Sequence, residues 1–112
     1  MIVLPWPPSV NRYWRKVGAR VLISREGRKF RTDAAMRLIG APRFGRRKVR
    51  LVMHWYPPDA RRRDGDNLCK AIFDALQCAH VVDDDSQIED FRIVRGTINR
   101  TDPSVTVAIE PM

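Results

Sequence analysis

At 112 residues the chain is long enough for one hydrophobic core and too short for two. With 21 Lys and Arg against 13 Asp and Glu, the net charge is +8, which favours a polyanionic partner, nucleic acid foremost, over an ordinary solvated surface. The charge is also segregated: most of the basic residues precede Asp64, and the acids gather between Asp64 and Asp90. That pattern suits a basic docking surface around an acidic pocket.

The two cysteines, Cys69 and Cys78, fall in one predicted helix, nine residues apart. Nine residues span roughly 13 Å of helix, so the thiols cannot pair within it. Zinc-type spacing is absent. Free thiols in a reducing cytosol are expected. Met1-Ile2-Val3-Leu4 is broken at once by Pro5, so no signal segment or membrane span opens the chain, and a soluble cytoplasmic protein is expected.

In chain order, Ile2–Leu4 reads as a short strand, and Pro5-Trp6-Pro7-Pro8-Ser9 as a stiff extended segment that cannot be helical. Asn11-Arg12-Tyr13-Trp14-Arg15-Lys16 interleaves basic and aromatic residues, a composition suited to phosphate and base contact, with Asn11, Arg12 and Arg15 as DNA-binding candidates. For Trp6 and Trp14 a core or dimer role is the better reading. Val21-Leu22-Ile23 is a strand, and Ser24 is placed to cap a helix from Arg25 to Ile39 with Phe30, Ala34, Ala35, Leu38 and Ile39 on its buried side. Gly40-Ala41-Pro42 stops it, and 43–47 is a basic loop.

Lys48–Tyr56 alternates cleanly, with Val49, Leu51, Met53 and Trp55 inward. Asn67–Ala79 is a second helix whose buried stripe is Leu68, Ala71, Ile72, Ala75, Leu76 and Ala79. Lys70 lies off that stripe, within reach of Asp74. Phe91–Arg95 and Val105–Ile109 read as strands of a hairpin. The expected fold is α+β: one domain over residues 1–112, with a mixed sheet of about four to five strands and two main helices.

Everything converges on Arg61-Arg62-Arg63-Asp64-Gly65-Asp66-Asn67-Leu68-Cys69-Lys70. If Asp64 ends a strand, Asp66 points to the same side. If a helix starts at Asp66 or Asn67, Lys70 stands one turn above Asp66. Hard carboxylate oxygens beside three arginines suggest Mg²⁺, or Mn²⁺, acting on a phosphodiester. A third carboxylate is available from Asp83, Asp84 or Asp85. The competing reading is a solvated acidic loop, with Asp64 and Asp66 favouring a helix dipole. A calcium-loop reading fails at Leu68 and Cys69. No phosphate-binding glycine loop or Gly-x-Ser-x-Gly element is present.

Leu4–Tyr13, Arg63-Asp64-Gly65-Asp66-Asn67-Leu68 with Lys70, Phe73-Asp74-Ala75-Leu76 and Asp84-Asp85-Ser86-Gln87 together resemble the RusA family of Holliday-junction resolvases. The resemblance implies a homodimeric, Mg²⁺-dependent endonuclease that nicks four-way DNA junctions. It implies Asp64, Asp66 and Asp85 as metal-binding catalytic acids and Lys70 as a further catalytic residue. Arg61, Arg62 and Arg63 are the cations nearest the cut. Two departures stand out: Asp83 adds an acid, and His80 occupies a position where glycine is common. Two-fold symmetry of the junction fits a C2 dimer, with the Trp6 region or an edge strand as the pairing surface. The rivals are a non-catalytic nucleic-acid binder and a metal nuclease for other branched DNA or RNA.

Overall fold

The computed structural model describes residues 1–112. The chain runs through β1 (Ile2–Pro5), α1 (Val10–Tyr13), β2 (Trp14–Val17), β3 (Arg20–Ile23), α2 (Arg25–Arg37), β4 (Val49–Tyr56), α3 (Asp66–Cys78), a 3₁₀ turn (Asp85–Gln87), β5 (Ile88–Arg95) and β6 (Ser104–Pro111). Four strands form one sheet in the order β1-β6-β4-β5, and β2 and β3 form a separate hairpin. β4 and β5 are parallel, whereas β6 runs antiparallel to both β1 and β4. This is the α+β architecture expected from the sequence, with the β2–β3 hairpin added to it.

The alternation in β4 buries Val49, Leu51, Met53 and Trp55 on one face. Leu68, Ala71, Ile72, Ala75 and Leu76 of α3 and Phe30, Ala34 and Leu38 at α2 join them, with Val105 and Val107, in one apolar cluster. The Ser24 hydroxyl accepts from the Gly27 amide at 2.9 Å, as a cap should. The buried stripe of α2 is narrower than expected. Ala35 is exposed, and Ile39 is 81% exposed, because the helix ends at Arg37 and the chain turns away through Gly40 (φ 81°).

The expected hairpin of β5 and β6 does not form. β4 lies between them, paired with each. The connection crosses the end of β4 and is fastened there, Gly96 N–H donating to Trp55 O at 2.7 Å and Asn99 N–H to Pro57 O at 2.8 Å. Glycine is required at 96, where a Cβ would meet Trp55 O at 2.6 Å.

Parallel β4 and β5 need a crossover, and α3 supplies it. The segment from Pro57 to Gly65 therefore leaves the carboxyl end of β4, where such units commonly place their functional loops. At its other end α3 closes on a Schellman pattern: Val81 N–H donates to Leu76 O at 3.0 Å, with His80 at φ 61°. The left-handed backbone at His80 is what glycine adopts most easily, so the histidine preserves the exit at a conformational cost. No helix is long and apolar enough to cross a membrane.

Candidate active site

Asp64 does not end a strand, so the condition under which strand alternation would turn Asp66 to its side is not met. β4 stops at Tyr56, and the residues up to Gly65 form an irregular segment. That segment is held by its own side chains. The Asp59 carboxylate accepts from the Arg61 amide at 2.9 Å and from Arg63 Nη2 at 2.8 Å. The Arg61 amide, then Arg63, hold its carboxyl below the usual carboxylate range. Arg63 lies 5.4 Å from the centroid of the Trp6 ring, and Trp6 meets Trp55 edge-on at 6.4 Å. Of the three adjacent arginines, Arg63 is thus folded into the structure, while Arg61 and Arg62 stay exposed.

Gly65 lets this loop lie flat on the sheet, since a Cβ there would meet Ile93 and Trp55 side chains at 3.3 Å. The Asp64 carbonyl accepts from Asn67 N–H at 3.2 Å and the Gly65 carbonyl from Leu68 N–H at 3.2 Å, so α3 begins directly behind Asp64, with Asp66 as its first residue. No side chain caps this end. The positive end of the helix dipole favours the negative charge of Asp66 in the first turn. Lys70 follows one turn on and is exposed. It does not pair with Asp74, as the sequence suggested. Asp74 is taken by Tyr13 Oη–H and by Arg31, whose Nε and Nη2 reach it at 3.0 and 3.2 Å.

The second acidic stretch is built around Gln87, a buried amide with all its hydrogen bonds made. Its Nε2 donates to Gly45 O (2.7 Å) and Arg47 O (2.8 Å), and its Oε1 accepts from the amides of Asp83 and Asp84, both at 2.8 Å. This clasp ties the acidic loop to the basic loop of residues 43–47. The three aspartates then part company. Asp83 faces Arg46 at 3.8 Å. Asp84 caps the 3₁₀ turn, accepting from the Ser86 amide, and that bond lowers its carboxyl's pKa. Asp85 is turned into a recess, where burial and then the neighbouring Asp84 push its carboxyl up and Lys70 pulls it down.

That recess, about 340 Å³, is lined by Asp66, Cys69, Lys70, Phe73, Asp85 and Phe91, with Ile93 beneath. Residues 66, 70 and 85 are therefore brought together. Asp64 is not in it. It lines the adjoining groove, about 800 Å³, with Trp6, Arg12, Arg61, Arg62 and Asn67. No three acidic, His or Cys side chains stand close enough to form a ready ligand cluster. Asn11 and Arg15 are exposed on α1 and β2, and neither lines the groove or the recess. The aromatic wall of Phe73 and Phe91, edge-on at 5.6 Å, was not read from the sequence. Nor was the role of Gln87, since a lone Gln after an acidic run carries no periodic signal.

Comparison with known proteins bears on this arrangement. The family described as Endodeoxyribonuclease RusA matches residues 5–110. The chain belongs to the RusA family. It is 41% identical over 96 residues to the crossover junction endodeoxyribonuclease rusA of Enterobacteria phage HK97, covering 84% of this chain and 80% of the relative. It is 44% identical over 103 residues to the enzyme of the same name from Enterobacteria phage 82. It is 41% identical over 102 residues to that of Escherichia coli K12. In these last two, 88% of this chain and 84% of the relative are covered.

Membership of a RusA nuclease family implies a divalent metal, and the donor set fits one. The groups at the recess and its border are carboxylate oxygens, the hard donors that Mg²⁺-type ions prefer. The one soft candidate, Cys69, is kept protonated: burial and then Asp66 raise its pKa, and its thiol donates to Gly65 O at 3.3 Å. The raised carboxyl of Asp85 marks a place where added positive charge is favourable.

Proposed function

We propose that this RusA-family chain is an endodeoxyribonuclease that resolves four-way DNA junctions by paired nicks, as a homodimer with Mg²⁺ (or Mn²⁺) as cofactor. Asp64, Asp66 and Asp85 would hold the metal, and Lys70 completes the catalytic set. The observation that carries the reading is the recess that brings Asp66 and Lys70, one turn apart on α3, together with Asp85 from the 3₁₀ turn, beside an arginine-lined groove that carries Asp64. The metal, when bound, supplies Lewis-acid stabilisation of the phosphodiester and a more acidic water.

The chain's own residues do the rest. Arg61, Arg62 and Arg12 line the groove and draw the DNA backbone into it, with Arg63 in the same wall fixed by Asp59 and Trp6; Asn11 and Arg15, exposed outside the groove, extend the contact line. Lys70 presents an ammonium at the recess, where it stabilises charge building on the phosphate oxygens. Phe73, Phe91 and Cys69 give the recess an apolar wall that strengthens those charge interactions. One chain carries one such constellation, and a junction must be cut twice symmetrically. A C2 dimer meets that need, and DNA as substrate places the enzyme in the cytoplasm.

The deciding experiment is a cleavage panel of duplex, flap, fork and four-way substrates, each with and without Mg²⁺. Four-way junctions should be nicked in pairs, with Mg²⁺ only. Binding without cleavage in any metal would leave a DNA-binding protein. Preferential cleavage of flaps, forks or RNA would assign another substrate.

A further inference from the structure

A third hollow lies at the carboxyl ends of the parallel strands β4 and β5. It is a cavity of about 400 Å³ bounded by Trp55, Asp59, Arg61, Arg63, Arg95 and Ile98. Its one carboxylate, Asp59, is engaged at Oδ1 by the Arg61 amide at 2.9 Å and is ion-paired there to Arg63 at 2.8 Å. Its donors are not all engaged. Arg61 is exposed, and its guanidinium has no hydrogen bond or ion pair within the chain. Arg95 is exposed too. It stacks over the Trp55 ring at 5.4 Å and uses only Nη2, which donates to Arg63 O at 3.1 Å.

The unpaired arginine donors favour an occupant that brings acceptors, negative charge and a flat surface to extend the Trp55–Arg95 stack. A nucleotide has all three. Its base can lie on a guanidinium plane, and its phosphate can take the free arginine donors. The volume is that of a small-ligand site. Arg61 and Arg63 also form one wall of the groove that carries Asp64, so the two hollows share a rim. The geometry points to a nucleotide pocket: one nucleotide of the bound DNA strand unstacks, lays its base against Arg95 and sets its phosphate on Arg61. The shared rim selects a nucleotide within DNA over a free one. Unstacking costs least where strands already part, which a branched substrate provides. The inference rests on the nuclease reading above.

Thr97 is exposed on the cavity wall, and Thr101 is exposed on the following turn outside it. Thr97→Glu puts a carboxylate among the arginines, and Thr101→Glu adds the same charge elsewhere. Four-way junctions carrying 2-aminopurine at successive positions flanking the branch are titrated without Mg²⁺, so that they stay whole. With the wild type, fluorescence should rise at one position as its base unstacks. Thr97→Glu should abolish that rise, weaken junction binding about tenfold and flatten the salt slope by about one unit; Thr101→Glu should do none of these. Identical fluorescence responses in wild type and Thr97→Glu would overturn the pocket. So would weaker binding with unchanged fluorescence, which would leave a phosphate contact alone. If the pocket response appears but Mg²⁺ then yields no cleavage by the wild type, the nuclease reading fails and the pocket stands.

Discussion

The two ends of α3 treat their carboxylates in opposite ways. Asp74, in the second half, is closed off by Tyr13 and by two hydrogen bonds from Arg31, so it joins α3 to α1 and α2. Asp66, in the first turn, and Lys70 above it make no ion pair within the chain and open into the recess with Asp85. The same helix thus carries one acid used for holding the fold and one without an ion pair that lines the recess. A carboxylate with every partner supplied internally contributes stability, whereas one left unpaired beside another acid costs some stability and keeps its charge available for substrate or metal.

Exchanging charge at each end should separate the two roles, with the largest effects on cleavage. Asp66→Asn and Asp64→Asn should each cut the junction-cleavage rate at least about a hundredfold while preserving junction binding and thermal stability. Asp74→Asn should do the reverse: it leaves Arg31 without its charge partner and lowers stability by about 1–3 kcal/mol, with the cleavage rate of folded enzyme near wild type. Parallel melts and single-turnover assays read both. A melt for Asp66→Asn that drops as far as that of Asp74→Asn would erase the distinction.

Lys70 sharpens it further. Lys70→Ala should lower single-turnover cleavage at saturating enzyme by about a hundredfold, with a much smaller change in junction affinity. A loss accounted for entirely by weaker binding would make Lys70 a docking residue.

The same division runs through the arginine triplet. Arg61 and Arg62 are unpaired, whereas Arg63 is fixed by Asp59 and Trp6. Replacing Arg61 and Arg62 together with Ala should flatten log affinity against log salt by about one unit per lost phosphate contact, on duplex and junction alike. Arg63→Ala should chiefly lower the melting temperature. An unchanged slope in the double variant would return Arg61 and Arg62 to an ordinary solvated surface.

The smallest effect concerns Tyr13. Burial, and then its bond to Asp74, raise its pKa above the ordinary 10.0. The folded state therefore holds this proton more tightly than the unfolded chain. The resulting stability is complete below about pH 10 and is lost as pH rises towards the raised value. Tyr13→Phe should melt with a shallower decline above pH 10 than wild type, as followed by circular dichroism. Equal slopes would detach Tyr13 from the Asp74 cluster.

Periodicity made most of the elements legible. β4, α2 and α3 stand within two residues of where apolar spacing and the Ser24 cap put them. Pairing was less legible, because a hairpin reading relies on adjacency, and the backbone bonds from Gly96 and Asn99 that carry the chain over β4 leave no mark in side-chain pattern. At the candidate site, spacing put Asp66 and Lys70 on one side of α3, since one helical turn fixes their relation, and both line the recess. Spacing left Asp83, Asp84 and Asp85 undivided. The Gln87 clasp and the Asp84 cap separate those three, and both are contacts across the fold or with backbone amides. Lys70 and Asp74 have helix-pair spacing as well, but Arg31 and Tyr13 from distant segments claimed Asp74 instead.

The central claim is that the recess of Asp66, Lys70 and Asp85 performs the cleavage. The most direct measurement is single-turnover cleavage of a four-way junction in Mg²⁺ by Asp85→Asn and Asp84→Asn, side by side at saturating enzyme. Asp85→Asn should bind the junction and fail to cut it. Asp84→Asn should cut near the wild-type rate, because asparagine serves equally as a cap. Normal cleavage by Asp85→Asn, with or without loss in Asp84→Asn, would contradict the account.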